Sequence, residues 1–138
     1  MKIRFDYVTN SSSTSFVIIS KGKPSESVFL EALGIKKGSH LEPFGRELFD
    51  MLCSKMENVH AAAKSKYWGP ARDIKSLLKR HIRHPSIAKR AEHALDAGMD
   101  VYIGTLSSDG YPAESFLCTE TIEVNHPKLY INALECSW

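Results

Sequence analysis

The chain has 138 residues, 43% hydrophobic and 25% charged, with a formal net charge of +2 at pH 7. These proportions belong to a folded chain with its own core and exclude disordered or collagen-like classes. No apolar run approaches the roughly 20 residues needed to cross a bilayer, and Arg4 and Asp6 interrupt the first residues, so neither a membrane span nor a signal-peptide core is expected and the expected compartment is the cytoplasm.

Ile3, Phe5 and Tyr7 alternate with Lys2, Arg4 and Asp6, the period-two mark of a half-buried strand. A polar block follows, Asn10-Ser11-Ser12-Ser13-Thr14-Ser15, read as a loop. The continuous apolar run Phe16-Val17-Ile18-Ile19 then predicts an interior strand covered on both faces. After the Lys21-Gly22-Lys23-Pro24 turn, Ser25 can cap a short helix with Val28, Phe29, Ala32 and Leu33 inward and Gly34 at its end. The spacing of Leu48, Met51, Leu52, Met56, Val59 and Ala63 predicts one long helix from about Phe44 to Lys66, stopped at Tyr67-Trp68-Gly69-Pro70.

A third helix is expected over Ala71 to Arg83, with Ile74, Leu77, Leu78 and Ile82 on one stripe. Pro85 separates it from a fourth over Ser86 to Ala97, closed by Gly98. Strand chemistry returns at Met99 to Leu106 and turns at Asp109-Gly110. Pro112 marks a loop or edge, Ser115 to Cys118 reads as a strand, and Thr121 to Val124 and Leu129 to Ile131 flank a tight connection at Asn125-His126-Pro127. Strands at both ends with helices between them predict a single α+β domain over 1–138: a mostly antiparallel sheet with about four helices packed on one face.

The small net charge conceals a division along the chain. Residues 1–71 carry +3, residues 72–95 carry +5 from seven Lys/Arg against two Asp/Glu, and residues 96–138 carry −6. Such asymmetry points to an anionic partner or to pairing of basic and acidic layers. On the basic segment, Arg72, Lys75, Lys79 and Arg83 recur at three- and four-residue intervals and can share one helical face able to contact several phosphates. Arg80, Lys89, Arg90 and three histidines stand nearby. The His84-Pro85 joint lacks the glycine-containing turn of a DNA-reading helix pair, which leaves non-specific or RNA binding.

The small residues of the Asn10 to Ser15 block let backbone amides approach a phosphate or carboxylate, although Asn and Ser also dominate ordinary turns. No P-loop pattern accompanies them. His81-x-x-His84 has metal-ligand spacing but no evident third ligand, and reads as surface histidines in a basic helix. Cys53, Cys118 and Cys136 are odd in number and widely spaced, which excludes a disulfide framework; Cys53 and Cys118 read as buried free thiols and Cys136 as near an accessible terminus. Asp109 and Glu114 read as a turn former and an exposed strand residue, and Tyr67 and Trp68 as packing at a helix joint.

The segment Tyr7-Val8-Thr9-Asn10-Ser11-Ser12-Ser13-Thr14-Ser15-Phe16 resembles the N-terminal Phe-Val-Thr-Asn-Ser-Ser-Ser-Ser-Ser-Phe segment of many small bacterial and phage proteins, with Tyr7 before Val8 and Thr14 interrupting the serines. The resemblance implies a prokaryotic or viral origin and brings no activity or site residue with it.

These features lead to a non-catalytic binding module for an anionic ligand, a nucleotide or nucleic acid, held by Asn10, Ser11, Ser12, Ser13 and Thr14 with Arg72, Lys75, Lys79 and Arg83. No catalytic residue, metal ligand or cofactor is assigned. The alternative is a protein-interaction or homo-oligomeric assembly module, and a third reading is an enzyme acting on a phosphorylated substrate, for which no nucleophile or general base stands out.

Overall fold

The structure, a computed structural model, describes residues 2–5, 13–68, 73–109 and 111–137. Its strands are β1 (Lys2–Phe5), β2 (Ser13–Ser20), β3 (Glu57–Asn58), β4 (Asp100–Ser107), β5 (Glu120–His126) and β6 (Leu129–Ser137). They form one antiparallel sheet in the order β1-β5-β6-β2-β4-β3. The helices are α1 (Glu26–Ala32), α2 (Glu42–Lys55), α3 (Val59–Ala62), α4 (Ile74–His81), α5 (Pro85–Asp96) and α6 (Pro112–Thr119). The α+β class and the sheet built from both ends of the chain agree with the sequence reading.

The helices divide between the two faces of the sheet instead of covering one. The reason lies in β2, which sits between β6 and β4 and is apolar on both sides. Phe16 and Ile18 join a core with Phe29, Leu30, Leu48, Leu52 and Leu117, under α1, α2 and α6. Val17 and Ile19 join a second core with Val59, Leu77, Leu78, Ile87 and Ala91, under α3, α4 and α5. A strand with no polar side has to be covered twice, because each exposed face would leave apolar surface in water.

Two further elements depart from expectation. The long helix from Phe44 to Lys66 is interrupted: Met56 is extended (ψ 144°), and Glu57–Asn58 pair with Ile103 and Tyr102 at the edge of β4. Asn58 then caps the next turn, accepting from His60 N at 2.9 Å. The apolar spacing survives the break because α2 and α3 serve opposite faces, Leu52 in the first core and Val59 in the second. Ser115 to Cys118, expected as a strand, lies in α6, and Pro112 opens that helix rather than marking a loop or edge. Glu114, expected exposed, is buried there, accepting from Ser107 N at 2.9 Å and pairing with Lys55 at 3.4 Å. Cys118 is buried and Cys53 half-buried, both as free thiols. Among the described residues no helix is long and apolar enough to cross a membrane.

Candidate anion-binding surface

The basic segment folds into two helices laid on the second face of the sheet. Asp73 caps α4, its Oδ1 accepting from Ser76 N at 2.7 Å, so the helix starts at Ile74 and not at Ala71. Leu77 and Leu78 point inward with 1% and 0% exposure, and Ile82 closes the stripe. On the opposite side Lys75 and Lys79, four apart, are exposed, as is Arg80; the helix expected to reach Arg83 ends at His81 with Ile82 extended (ψ 103°), so the exposed Arg83 follows α4 instead of lying on its face. Pro85 opens α5, which buries Ile87, Ala88, Ala91 and Ala94 and exposes Lys89 and Arg90. The result is an outward surface with six exposed cationic side chains. Its charge is offset by Asp73, engaged as a cap, and by Glu92, whose carboxylate lies 3.9 Å from Lys79 Nζ.

Two contacts fix this layer to the sheet. The His81 ring, on the last turn of α4, places Nε2 3.2 Å from the carbonyl oxygen of Phe16 in β2. A carbonyl only accepts, so Nε2 carries the proton in that contact. The Arg90 guanidinium lies 3.6 Å from the centre of the Tyr130 ring in β6 and donates to Asn125 Oδ1 at 3.0 Å. Tyr130 OH in turn donates to Glu123 Oε2 at 3.1 Å, and Asn132 Nδ2 donates to the same oxygen at 3.2 Å. Burial chiefly pushes the Tyr130 phenol above its ordinary value, and the Glu123 carboxylate adds to the shift, while the Asn132 amide and Arg90 oppose it. Sequence reasoning missed this network, which is assembled across β5 and β6 and from α5 and so has no signature along the chain.

The candidate residues separate into groups. Asn10, Ser11, Ser12 and Arg72 lie outside the described residues, as does most of the segment that carries the bacterial and phage resemblance. Ser13 and Thr14 belong to β2 and not to a loop. Thr14 is fully buried on the face of Phe16 and Ile18, and its hydroxyl donates to the carbonyl of Cys118 at 3.1 Å, so it ties β2 to α6. Ser13 alternates with Ser15 and Val17 on the face that carries α4 and α5. Lys75 and Lys79 lie on the side of α4 away from that face, with the thickness of a helix, about 10 Å, between them and the sheet. Of the described members, Thr14 is buried on the sheet face opposite α4 and so does not share a pocket with Lys75 and Lys79. His81 and His84 also diverge: the first meets Phe16, the second places Nδ1 2.8 Å from Ser86 Oγ. Among the described residues no three His, Cys, Asp or Glu side chains gather as metal ligands would.

The cap gives α4 a measurable pH dependence. The Ser76 backbone amide, bonded to the Asp73 carboxylate, holds that carboxyl below its ordinary value of 3.8. A depressed folded-state pKa contributes stability above the ordinary value, lost as pH falls through the depressed one. Hydrogen exchange is expected to show amide protection in Ile74–Leu78 declining as pH drops through and below 3.8. D73N should keep the cap at neutral pH and flatten that decline, whereas D73A should lower protection throughout.

Comparison of the chain with protein-family models, curated proteins and solved structures finds no match to any of them.

Proposed function

We propose that this chain is a non-catalytic binding module for a polyanion, nucleic acid foremost, engaged through the outward surface of α4 and α5. The observation that carries the reading is the exposed pair Lys75 and Lys79 on a helix whose other side is anchored in the core, with Arg80, Lys89 and the exposed Arg83 just past the helix end beside them. Rigid presentation matters because flexible lysines lose side-chain entropy on binding, and a helix already packed by Leu77 and Leu78 has no further backbone ordering to undergo. The contacts expected of these side chains are to phosphate, so the binding is expected to be insensitive to sequence.

Fluorescence anisotropy with a labelled single-stranded oligonucleotide tests the reading. Each phosphate neutralised contributes about −0.7 to the slope of log K against log salt, so engagement of about four phosphates gives a slope of about −3. Equal affinity for unrelated sequences is expected as well. A folded sample with no measurable binding at low salt, or with a salt-independent affinity, would overturn the proposal.

A further inference from the structure

A second basic site lies away from the α4–α5 surface, where β2 ends and β6 begins. The turn after β2 carries Lys21 and Lys23 around Gly22, whose φ of 79° suits glycine, and the Ser20 hydroxyl closes that turn by donating to Gly22 O at 2.5 Å. The hairpin between β5 and β6 brings Lys128 to the same place. Together they rim a pocket of about 390 Å³ with Val28, Met99 and Leu129 on its walls. That volume falls within the range of small-molecule sites.

No carboxylate lines this pocket. Acidic groups on the surrounding elements are committed elsewhere or stand aside: Glu26 pairs with Arg46 at 3.3 Å, Glu31 faces His126 at 3.9 Å, and Asp100, opposite Ser20 in register, is not part of the lining. Among the described residues none of the three lysines has an ion-pair partner within 4.0 Å. Three lysines from two turns make the rim of this pocket positive with no carboxylate in the lining to offset them, which favours an anion seated there. The apolar walls below favour an anion attached to a carbon body over a bare inorganic ion. A doubly charged headgroup matches three cations better than a singly charged one.

We propose that the pocket rimmed by Lys21, Lys23 and Lys128 binds a small organic phosphomonoester, with its phosphate among the ammonium groups and its apolar body against Val28, Met99 and Leu129. The site is independent of polyanion binding on α4 and α5, and either reading can fail alone.

Titration of the isotopically labelled protein with phenyl phosphate, followed by amide chemical shifts, tests this assignment. Saturable shifts are expected at Lys21–Ser25 and Lys128–Leu129, with affinity about tenfold tighter than for inorganic phosphate because the ring is buried. K21Q/K128Q should weaken phenyl phosphate by about tenfold or more, while K75E/K79E should leave it unchanged. Should the double variant lose its native spectrum, K23Q serves in its place. Shifts confined to α4 and α5, equal affinity for phenyl and inorganic phosphate, or no loss in the lysine variants would overturn the site. Tighter binding of benzoate than of phenyl phosphate would overturn the phosphate assignment.

Discussion

Replacing Gly104 with alanine is expected to destabilise the protein by about 3 kcal/mol, near the upper end of overpacking penalties. For a chain of this length that lowers the thermal midpoint by roughly 10 °C. Gly104 stands opposite Phe16 in the β2–β4 ladder, and the Phe16 ring lies across it. A Cβ there would collide with that ring and approach the carbonyl oxygen of Lys55 to 2.6 Å. The ring is 1% exposed in a close-packed core shared with Ile18 and Leu106, which leaves it little room to turn, and the carbonyl belongs to the last residue of α2 and cannot rotate away alone. Gly34 separates this cause from backbone strain. It has φ 73° with nothing within 4 Å of a built Cβ, so G34A should cost about 1 kcal/mol from conformation alone. Calorimetry on the two variants checks the order; equal losses would mean that the Phe16–Gly104 contact is not the tight point of the core.

Gly104 also marks where sequence reading loses its grip. The run Met99 to Leu106 is legible as a strand from its apolar content, but that a glycine in it receives an aromatic ring from the neighbouring strand depends on register, which no local pattern states. The same limit explains the one-face expectation for the helices. Phe16-Val17-Ile18-Ile19 already demanded cover on both sides, and the four residues deliver it, yet periodicity within each helix says only that it has an inward stripe and not which face of the sheet receives it. Leu52 and Val59 fit a single helical repeat and end up in different cores, because β4 offers an edge whose hydrogen-bonding groups capture Glu57 and Asn58 between them. Pro112 followed by Glu114 has the form of a helix start, a signal that taking Pro112 as a loop or edge and Ser115 to Cys118 as a strand leaves unused.

For the candidate surface, local information went further. The outward position of Lys75 and Lys79 follows from spacing alone, since the buried Leu77 and Leu78 define the other side of the same helix, whereas Arg83, expected on that face, falls past the helix end at His81. Thr14 was not legible as a structural residue: a hydroxyl in a serine-rich run looks like its neighbours until the partner strand and Cys118 are in place, more than a hundred positions away. The pocket of Lys21, Lys23 and Lys128 had no signal either, since Lys128 reaches it only through the β5–β6 hairpin.

Charge reversal on α4 and at Arg83 just beyond it gives the largest expected change in binding. In K75E/K79E/R83E, three attractive phosphate contacts become repulsive, and affinity for a single-stranded oligonucleotide at low salt should fall by about a thousandfold, or roughly 4 kcal/mol. The salt slope should shrink by about 2, three contacts at about 0.7 each. The fold should tolerate the change, because all three side chains are exposed and the stripe that anchors the helix is untouched. K75E places a carboxylate in the first turn of α4, where the helix dipole favours it; K79E places one in the last turn beside Glu92, where repulsion costs a few tenths of a kcal/mol. A small shift in thermal midpoint with a large loss of affinity, uniform across oligonucleotide sequences, is therefore the signature of phosphate contacts made by this row. Retained affinity in a folded variant would remove α4 from the interface. Salt-sensitive self-association of the unmodified chain that the variant abolishes, with oligonucleotide binding absent from both, would instead assign the row to contacts between subunits, where basic helices meet acidic surface.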